Sequence, residues 1–452
     1  MNWTQLLSVE RLSGSRDDRA APRTPFQRDY DRVLYSSAFR RLGDKTQVFP
    51  VPLDDHIHSR LTHSLEVASI GRSLGTLAGR HIAASASLPE GLDARDVGDC
   101  VAAACLAHDL GNPPFGHVGE GAFHEFFKEF MARHEHAGWS KDLDAPEQAD
   151  LRAFEGNAQS LRIVTRLARP LSNHGLDLTT ATLGALVKYP CASTATLGKT
   201  GGKTSRAKHG FNQAERGVFE DVATRAGLVQ TDPGTLAWRR HPLAFLTEAA
   251  DDIAYRIIDL EDGLRLKLVK DEQFLALMRP LCEGEPGCPD SFKPSADRET
   301  MFDLALTLRG VAINRLVRES SAVFAERALA MLDGGFDEPL LDHLPGPSRA
   351  AVKAIEAVNL RQCYRARDVL KMELSGAVAI EGVLEALSEA AVGPESLRGG
   401  HLRRLLPGVL LDGETAYRRL LRVTDHVSGM TDNYMLRLYR ELSGIRLPGG
   451  RD

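Results

Sequence analysis

The segment His108-Asp109-Leu110-Gly111-Asn112-Pro113-Pro114-Phe115-Gly116-His117-Val118 sets an imidazole beside a carboxylate, then a Gly-Asn-Pro-Pro turn, then a second imidazole. Neutral imidazole and carboxylate together suit a divalent metal. A His-Asp pair alone arises often by chance, so the reading rests on whether further ligands stand at suitable places. Two do. His63 lies in the run Arg60-Leu61-Thr62-His63-Ser64-Leu65-Glu66-Val67, and Asp251 lies far along the chain in Thr247-Glu248-Ala249-Ala250-Asp251-Asp252-Ile253-Ala254-Tyr255-Arg256-Ile257-Ile258-Asp259.

The elements that must carry these groups read as helices. Val67, Ile70, Leu74 and Ala78 recur at helical spacing, and His63, four residues before Val67, falls on the same inward face. Val97, Val101, Cys105 and His108 follow the same rule, with Asp109 one position round. Asp251, Tyr255 and Asp259 recur at i, i+4 and i+8 and line one stripe of a third helix. A buried charge needs a partner, so two carboxylates and a phenol on one core-facing stripe point to a site. A lone His63 reads equally well as a hydrogen-bonded core histidine, and Asp251 or Asp252 alone as a solvated helix residue. The spaced set, each member on a helix, is what carries the metal reading.

Six motifs occur in order: Arg40-Arg41-Leu42, Lys45-Thr46-Gln47-Val48-Phe49-Pro50, Arg60-Leu61-Thr62-His63-Ser64, the His108–His117 segment, Phe154-Glu155-Gly156-Asn157-Ala158-Gln159 and Glu248-Ala249-Ala250-Asp251-Asp252-Ile253. Their order and spacing resemble the deoxyguanosine triphosphate triphosphohydrolase family of HD-domain phosphohydrolases. The resemblance is dense over residues 25–265 and looser beyond, where it includes Gly429-Met430-Thr431-Asp432. It implies hydrolysis at the α-phosphorus of a deoxynucleoside triphosphate, dGTP or a broader set, giving deoxynucleoside and intact triphosphate. It also implies one divalent ion (manganese, magnesium, iron or zinc) on His63, His108, Asp109 and Asp251, and a catalytic pair of His117 and Glu120. The three-residue spacing at a helix start would let Glu120 orient the imidazole, as Asp orients His in a triad; a simple helix-capping pair is the alternative. Whether His117 acts as acid or base stays open. Some relatives carry another His where this chain has Asn112, which leaves fewer proton-transfer groups.

By the same resemblance, Arg60, Lys188, Tyr189 and Lys208 line the phosphates, the two lysines reading otherwise as ordinary surface lysines. Tyr255 and Asp259 lie against the sugar, with Asp259 and Gln47 reading the 3′-hydroxyl and Tyr255 leaving no room for a 2′-hydroxyl. Relatives form closed oligomers, so a homo-oligomer is expected. Two rival readings remain. Another HD phosphohydrolase, such as a nucleotidase or nucleotide phosphodiesterase, would share the ligands. A regulator responsive to an effector nucleotide or single-stranded DNA would instead use the C-terminal basic residues Arg361, Arg365, Arg367, Lys371, Arg403, Arg404, Arg418, Arg419 and Arg422. Interleaved acids make those an ordinary helix surface.

Composition sets the outer limits. The chain has 452 residues and a formal charge of −5, enough for a large core and too acidic for a global attraction to nucleic acid or an anionic membrane. No apolar run reaches membrane-spanning length, and Met1-Asn2-Trp3-Thr4-Gln5 lacks a secretory pattern. Six cysteines form no disulfide framework, and a reducing cytoplasm is the simplest setting. Helical periodicity dominates, so the fold class is all-α: an HD helical core with additional C-terminal helices. Residues 1–25 read as a mobile or loosely docked arm, 26–282 as the HD core with a basic loop at 191–235, and 283–452 as a helical portion packed on that core. Residues 134–150 also read as loop. Gly198-Lys199-Thr200-Gly201-Gly202-Lys203-Thr204-Ser205 imitates a phosphate-binding loop, but the required earlier glycine is Ser193 in one frame and Leu197 in the other.

Overall fold

A computed structural model describes residues 1–16, 22–49, 56–198, 204–290, 292–410 and 414–445. Among these residues the chain forms eighteen α-helices and no strand; paired extended backbone is limited to isolated bridges such as Thr46 with Ser59. The all-α expectation holds. No helix among the described residues is long and apolar enough to cross a membrane.

Two helices frame the site. Arg60–Ser85 begins at a capping box, in which Ser59 accepts from the Thr62 amide and Thr62 closes back on Ser59. Ala94–Ala107 begins at the equivalent box built by Asp93 and Asp96. The helices pack along a seam of small residues. A Cβ on Gly75 would lie 2.8 Å from the Val97 carbonyl oxygen, and one on Gly79 would lie 2.7 Å from Ala94 Cα. Absence of those side chains lets the two backbones approach closely. Val67, Ile70, Leu74 and Ala78 on one helix, and Val97, Val101 and Cys105 on the other, are all buried, as their spacing predicts. The Pro242–Arg265 helix crosses both; its residues from Pro242 to Ala250 are all buried.

Apolar side chains form two large clusters. One runs from Trp3 to Val369 and includes the three site helices; it continues across the Gly/Pro break at 283–295, with Met278 and Leu281 in the same cluster as Met301 and Leu308. The other joins Phe123, Phe126, Phe127 and Phe130 of the Gly116–Arg133 helix to the helices Arg367–Val392 and Ala416–Ser428. The C-terminal portion is thereby built into the wall behind His117.

Three local readings change. The opening segment is docked, not a loose arm: Trp3, Leu6, Leu7 and Leu12 are buried, and Trp3 packs on Phe324 with ring centroids 6.5 Å apart. Arg11 is buried too, donating at 2.7 Å to Asp29, which also accepts from the Thr179 hydroxyl at 2.6 Å. Apolar residues one helical turn apart are enough to fix a segment whose average composition is polar. Of this arm, Asp17, Asp18 and Arg19 lie outside the described residues. Within 191–235, Arg216–Arg225 is a helix that buries Phe219, Val222 and Ala223, and within 134–150 a helix starts at Ala145 on a capping box from Asp144. The look-alike phosphate loop falls largely on 199–203, outside the described residues, as does Pro50 of the Lys45–Pro50 motif.

The seam generates a paired prediction. Gly75→Ala should destabilise the fold by roughly 1–3 kcal/mol, because the new methyl meets backbone rather than a movable side chain. Gly121→Ala, in a helix with nothing within 4 Å of the new carbon, should stabilise by about 1 kcal/mol through backbone entropy. Thermal unfolding of both proteins checks the contrast, and equal shifts would show that the seam has slack.

Candidate active site

Each ligand candidate is delivered by a defined piece of backbone. His63 sits in the first turn of its helix and is buried. His108 caps the C-terminus of Ala94–Ala107, and its Nδ1 lies 2.6 Å from the Cys105 carbonyl oxygen. That bond makes Nδ1 the donor and leaves the Nε2 lone pair facing inward. Nε2 is buried without a hydrogen-bond partner, 3.4 Å from Asp109 Oδ1 and 3.6 Å from Asp251 Oδ1. His63 Nε2 lies 3.2 Å from the same Asp251 oxygen. Ligand atoms of His63, His108 and Asp109 fall within 4.8 Å of one another. An orphaned imidazole nitrogen ringed by carboxylates fits a cation. Burial disfavours the charged form of His108, yet Asp109 and Asp251 outweigh it and push its pKa up to about 9. Burial likewise opposes ionisation of Asp251, but His108 and His63 hold it well below the usual carboxylate range. Asp252 points elsewhere, 3.2 Å from Arg256, and burial raises it to about 6.

The turn after Asp109 is held from several sides. Asn112 donates to Asp109 Oδ1 at 2.5 Å, and Arg60 donates to Oδ2 at 2.6 Å. Ser160 donates to the His108 carbonyl at 2.8 Å and accepts from the Gly111 amide at 2.9 Å. Lys45, fully buried, donates to the carbonyls of Asn112 at 2.6 Å and Ser428 at 2.7 Å. Asp432 accepts the amides of Thr46 and Phe115, so one carboxylate clips together two loops far apart in sequence. Phe115 and Gly116 both have positive φ, 60° and 59°. A Cβ on Gly116 would lie 2.5 Å from an Arg60 guanidinium nitrogen, so glycine serves both the backbone shape and the arginine.

His117 and Glu120 face each other at the first turn of the next helix, Nδ1 to Oε2 at 3.4 Å. Their environments differ. The His117 side chain is 90% exposed, whereas Glu120 is buried and accepts from the Gly156 amide at 2.9 Å. Burial alone would raise Glu120, but His117 and Lys208 bring it down to about 2.

One cavity of about 620 Å³ is lined by every site residue picked out from the sequence: His63, His108, Asp109 and Asp251; His117 and Glu120; Gln47, Arg60, Lys188, Tyr189, Lys208, Tyr255 and Asp259. The two lysines are not solvated surface groups. Lys188 lies 3.2 Å from Glu248, and Lys208 lies 2.9 Å from Glu155 and 3.5 Å from Glu120. Deeper along the Asp251 stripe, Arg256 stacks over the Tyr255 ring at 4.6 Å. Asp259 is buried and accepts from the Tyr364 hydroxyl at 2.6 Å; burial pushes its pKa up to about 8. Gln47 Oε1 is buried with no partner. Sequence reasoning passed over Lys45, Glu155, Glu248, Tyr364 and Asp432. Lys45, Glu155, Glu248 and Asp432 stand inside recognised motifs, but Tyr364 carried no signal, because its partner Asp259 is on another helix.

An all-helical fold with these groups converging on one cavity defines an HD-type phosphohydrolase, and comparison with known proteins agrees. Residues 60–169 match the HD domain family and residues 343–441 the phosphohydrolase-associated domain. A deoxyguanosinetriphosphate triphosphohydrolase-like protein of Synechocystis sp. is 40% identical, covering 99% of this chain and all of its own length. Proteins of the same name from Pseudomonas aeruginosa and Listeria monocytogenes are 38% and 32% identical, covering 99% and 98% of this chain and 100% of their own. The chain belongs to the deoxyguanosinetriphosphate triphosphohydrolase-like family.

Asp259 supplies a pH prediction. Its folded pKa lies above the unfolded value near 3.8, so the folded state holds its proton longer. Stability then falls as pH rises from about 4 to about 8, because the unfolded state ionises freely while the folded one does not. Asp259→Asn should therefore gain melting temperature relative to the unmodified protein on going from pH 5 to pH 9. A difference that stays constant with pH would show that Asp259 ionises normally in the fold.

Proposed function

We propose that the chain hydrolyses deoxynucleoside triphosphates to deoxynucleoside and inorganic triphosphate, using a single divalent ion held by His63, His108, Asp109 and Asp251. The observation that carries this reading is that the ligand cluster, the His117–Glu120 pair, three cations and the Gln47/Tyr255/Asp259 group all line the same cavity. When bound, the ion supplies an activated water and polarises a phosphoryl oxygen. Water adds to the α-phosphorus, and the bond from that phosphorus to the sugar 5′-oxygen breaks. The leaving alkoxide needs a proton, which His117 delivers, its ring oriented by Glu120.

Arg60, Lys188 and Lys208 supply positive charge for the triphosphate, with Tyr189 beside them. Glu248 and Glu155 hold the lysines in place, and substrate phosphates compete with those carboxylates for the ammonium groups. At the sugar end, Gln47 Oε1 accepts the 3′-hydroxyl proton, and Asp259, neutral below about pH 8, donates to the hydroxyl oxygen. Tyr255, backed by Arg256, fills the space a 2′-hydroxyl would need. The names of the relatives support a nucleotide substrate. Residues 26–282 then form the catalytic unit, and 283–452 brace it.

Incubation with each deoxynucleotide and manganese, followed by chromatography, should give deoxynucleoside and triphosphate; orthophosphate or a monophosphate as the first product would refute the reading. Asp251→Ala should abolish hydrolysis and most metal uptake, whereas Asp252→Ala should retain the metal. Equal loss in both would move the fourth ligand to the neighbour. His117→Ala should slow turnover by ~10²-fold or more with metal retained, the usual worth of a positioned acid. Adding Glu120→Ala to it should cost little more, since the two act as a unit; multiplicative losses would separate their roles.

A further inference from the structure

The Arg367–Val392 helix buries one side against the Gly116–Arg133 and Ala416–Ser428 helices and leaves the start of its other side uncovered. Leu370, Leu374 and Val378 recur there at i, i+4 and i+8, and are 44%, 71% and 54% exposed. Single exposed leucines are ordinary, but three on successive turns of one helix form a continuous apolar stripe. The ends of the stripe carry opposite charge. Arg367 stands on the same face three residues before Leu370, and Glu381 three residues after Val378; both are exposed. Neither makes an ion pair among the described residues. The charges also extend sideways. Arg361 and Arg365 are exposed just ahead of the basic end. Glu125 and Glu129 of the Gly116–Arg133 helix are exposed beside the acidic end, where burial and their like charge raise the Glu381 pKa.

A face that is basic at one end, apolar in the middle and acidic at the other is complementary to itself turned end for end. In a two-fold contact residue i meets residue j while j meets i. Two copies of this helix laid antiparallel and centred on Leu374 set Leu370 of each against Val378 of the other. The same register sets Arg367 against Glu381 at both ends. An anionic membrane is the poorer occupant, because Glu381, Glu125 and Glu129 would face it along with the arginines. One helix stripe falls short of the roughly 1,200–2,000 Å² that a stable interface buries, and the flanking arginines and glutamates supply the added width.

We propose that a second copy of this chain docks on the Leu370–Leu374–Val378 stripe, antiparallel across a two-fold axis at Leu374, and braces the wall of the catalytic cavity. Val369, Met372 and Glu373 belong to the same turns and line that cavity. Gly376, also on the inward side, lies so close to the Phe115 ring that a Cβ would fall 2.5 Å from it. Phe115 is part of the turn between Asp109 and His117. A helix moves as one body, so a partner that holds its outer side steadies the cavity wall and the catalytic turn on its inner side. The proposal stands without the hydrolase reading.

The test is sedimentation velocity of the full-length, manganese-loaded protein. The unmodified chain should run as a dimer or a multiple of one. Leu374→Glu should halve that mass while keeping the helical circular dichroism. Arg367→Glu and Glu381→Arg should each weaken association about 10-fold or more, since like charges then oppose each other at both ends. An equimolar mixture of those two variants should associate again, because every opposed pair regains opposite sign. A monomeric unmodified protein, a mass unmoved by Leu374→Glu, or a mixture that stays apart would overturn the pairing. Hydrogen exchange reads the bracing. The Phe115 and Gly116 amides, bonded to Asp432 and the Pro113 carbonyl, should exchange faster in Leu374→Glu than in the unmodified protein. Unchanged exchange there would overturn the bracing.

Discussion

Two carboxylates and two imidazoles packed against one another, His63 and Asp109 buried and His108 and Asp251 partly so, form a charge arrangement that cannot be left as it is. Asp109 and Asp251 converge on His63 and His108 at 3.2–3.6 Å, and the orphaned Nε2 of His108 has no protein partner. Burying ionised groups costs several kcal/mol each unless a counter-charge meets them. Much of the remaining architecture follows from keeping this cluster in register. The glycine seam brings the His63 and His108 helices within backbone contact, and the long Pro242–Arg265 helix carries Asp251 across both. Moving any one helix by a turn would leave a charge buried alone.

The same economy runs through the cavity. The protein is acidic overall, yet its pocket cations are each paired: Arg60 with Asp109, Lys188 with Glu248, Lys208 with Glu155 and Glu120. Pairing keeps the cations aimed at the cavity, and a polyanionic ligand then has ready donors to recruit. The C-terminal helices take part through few contacts of high value. Asp432 fixes the Thr46 and Phe115 amides, and Ser428 anchors Lys45 beneath the turn. The portion of the chain with the loosest family signature is therefore joined directly to the backbone that shapes the site.

How far the sequence disclosed this depends on whether the determinant is local. Helices were legible wherever apolar spacing was sustained, as in Val67, Ile70, Leu74 and Ala78. The ligand cluster was legible because each member broke an apolar face with a polar group, which physics permits only when a partner waits opposite. The docking of Trp3, Leu6 and Leu7 was hidden by polar neighbours, and the Arg216–Arg225 helix by its short apolar stripe. Tyr364 and the Lys45–Ser428 bond could not be read at all, since each depends on contacts across the fold rather than on spacing along it.

The cluster's role as a metal centre is tested most directly by X-ray absorption spectroscopy of the zinc-loaded protein. The account predicts a first shell with two imidazole nitrogens and two carboxylate oxygens at about 2.0–2.2 Å. Removal of Asp251 should take away one oxygen and leave both imidazoles. A first shell without imidazole, or one unchanged by Asp251→Ala, would contradict it.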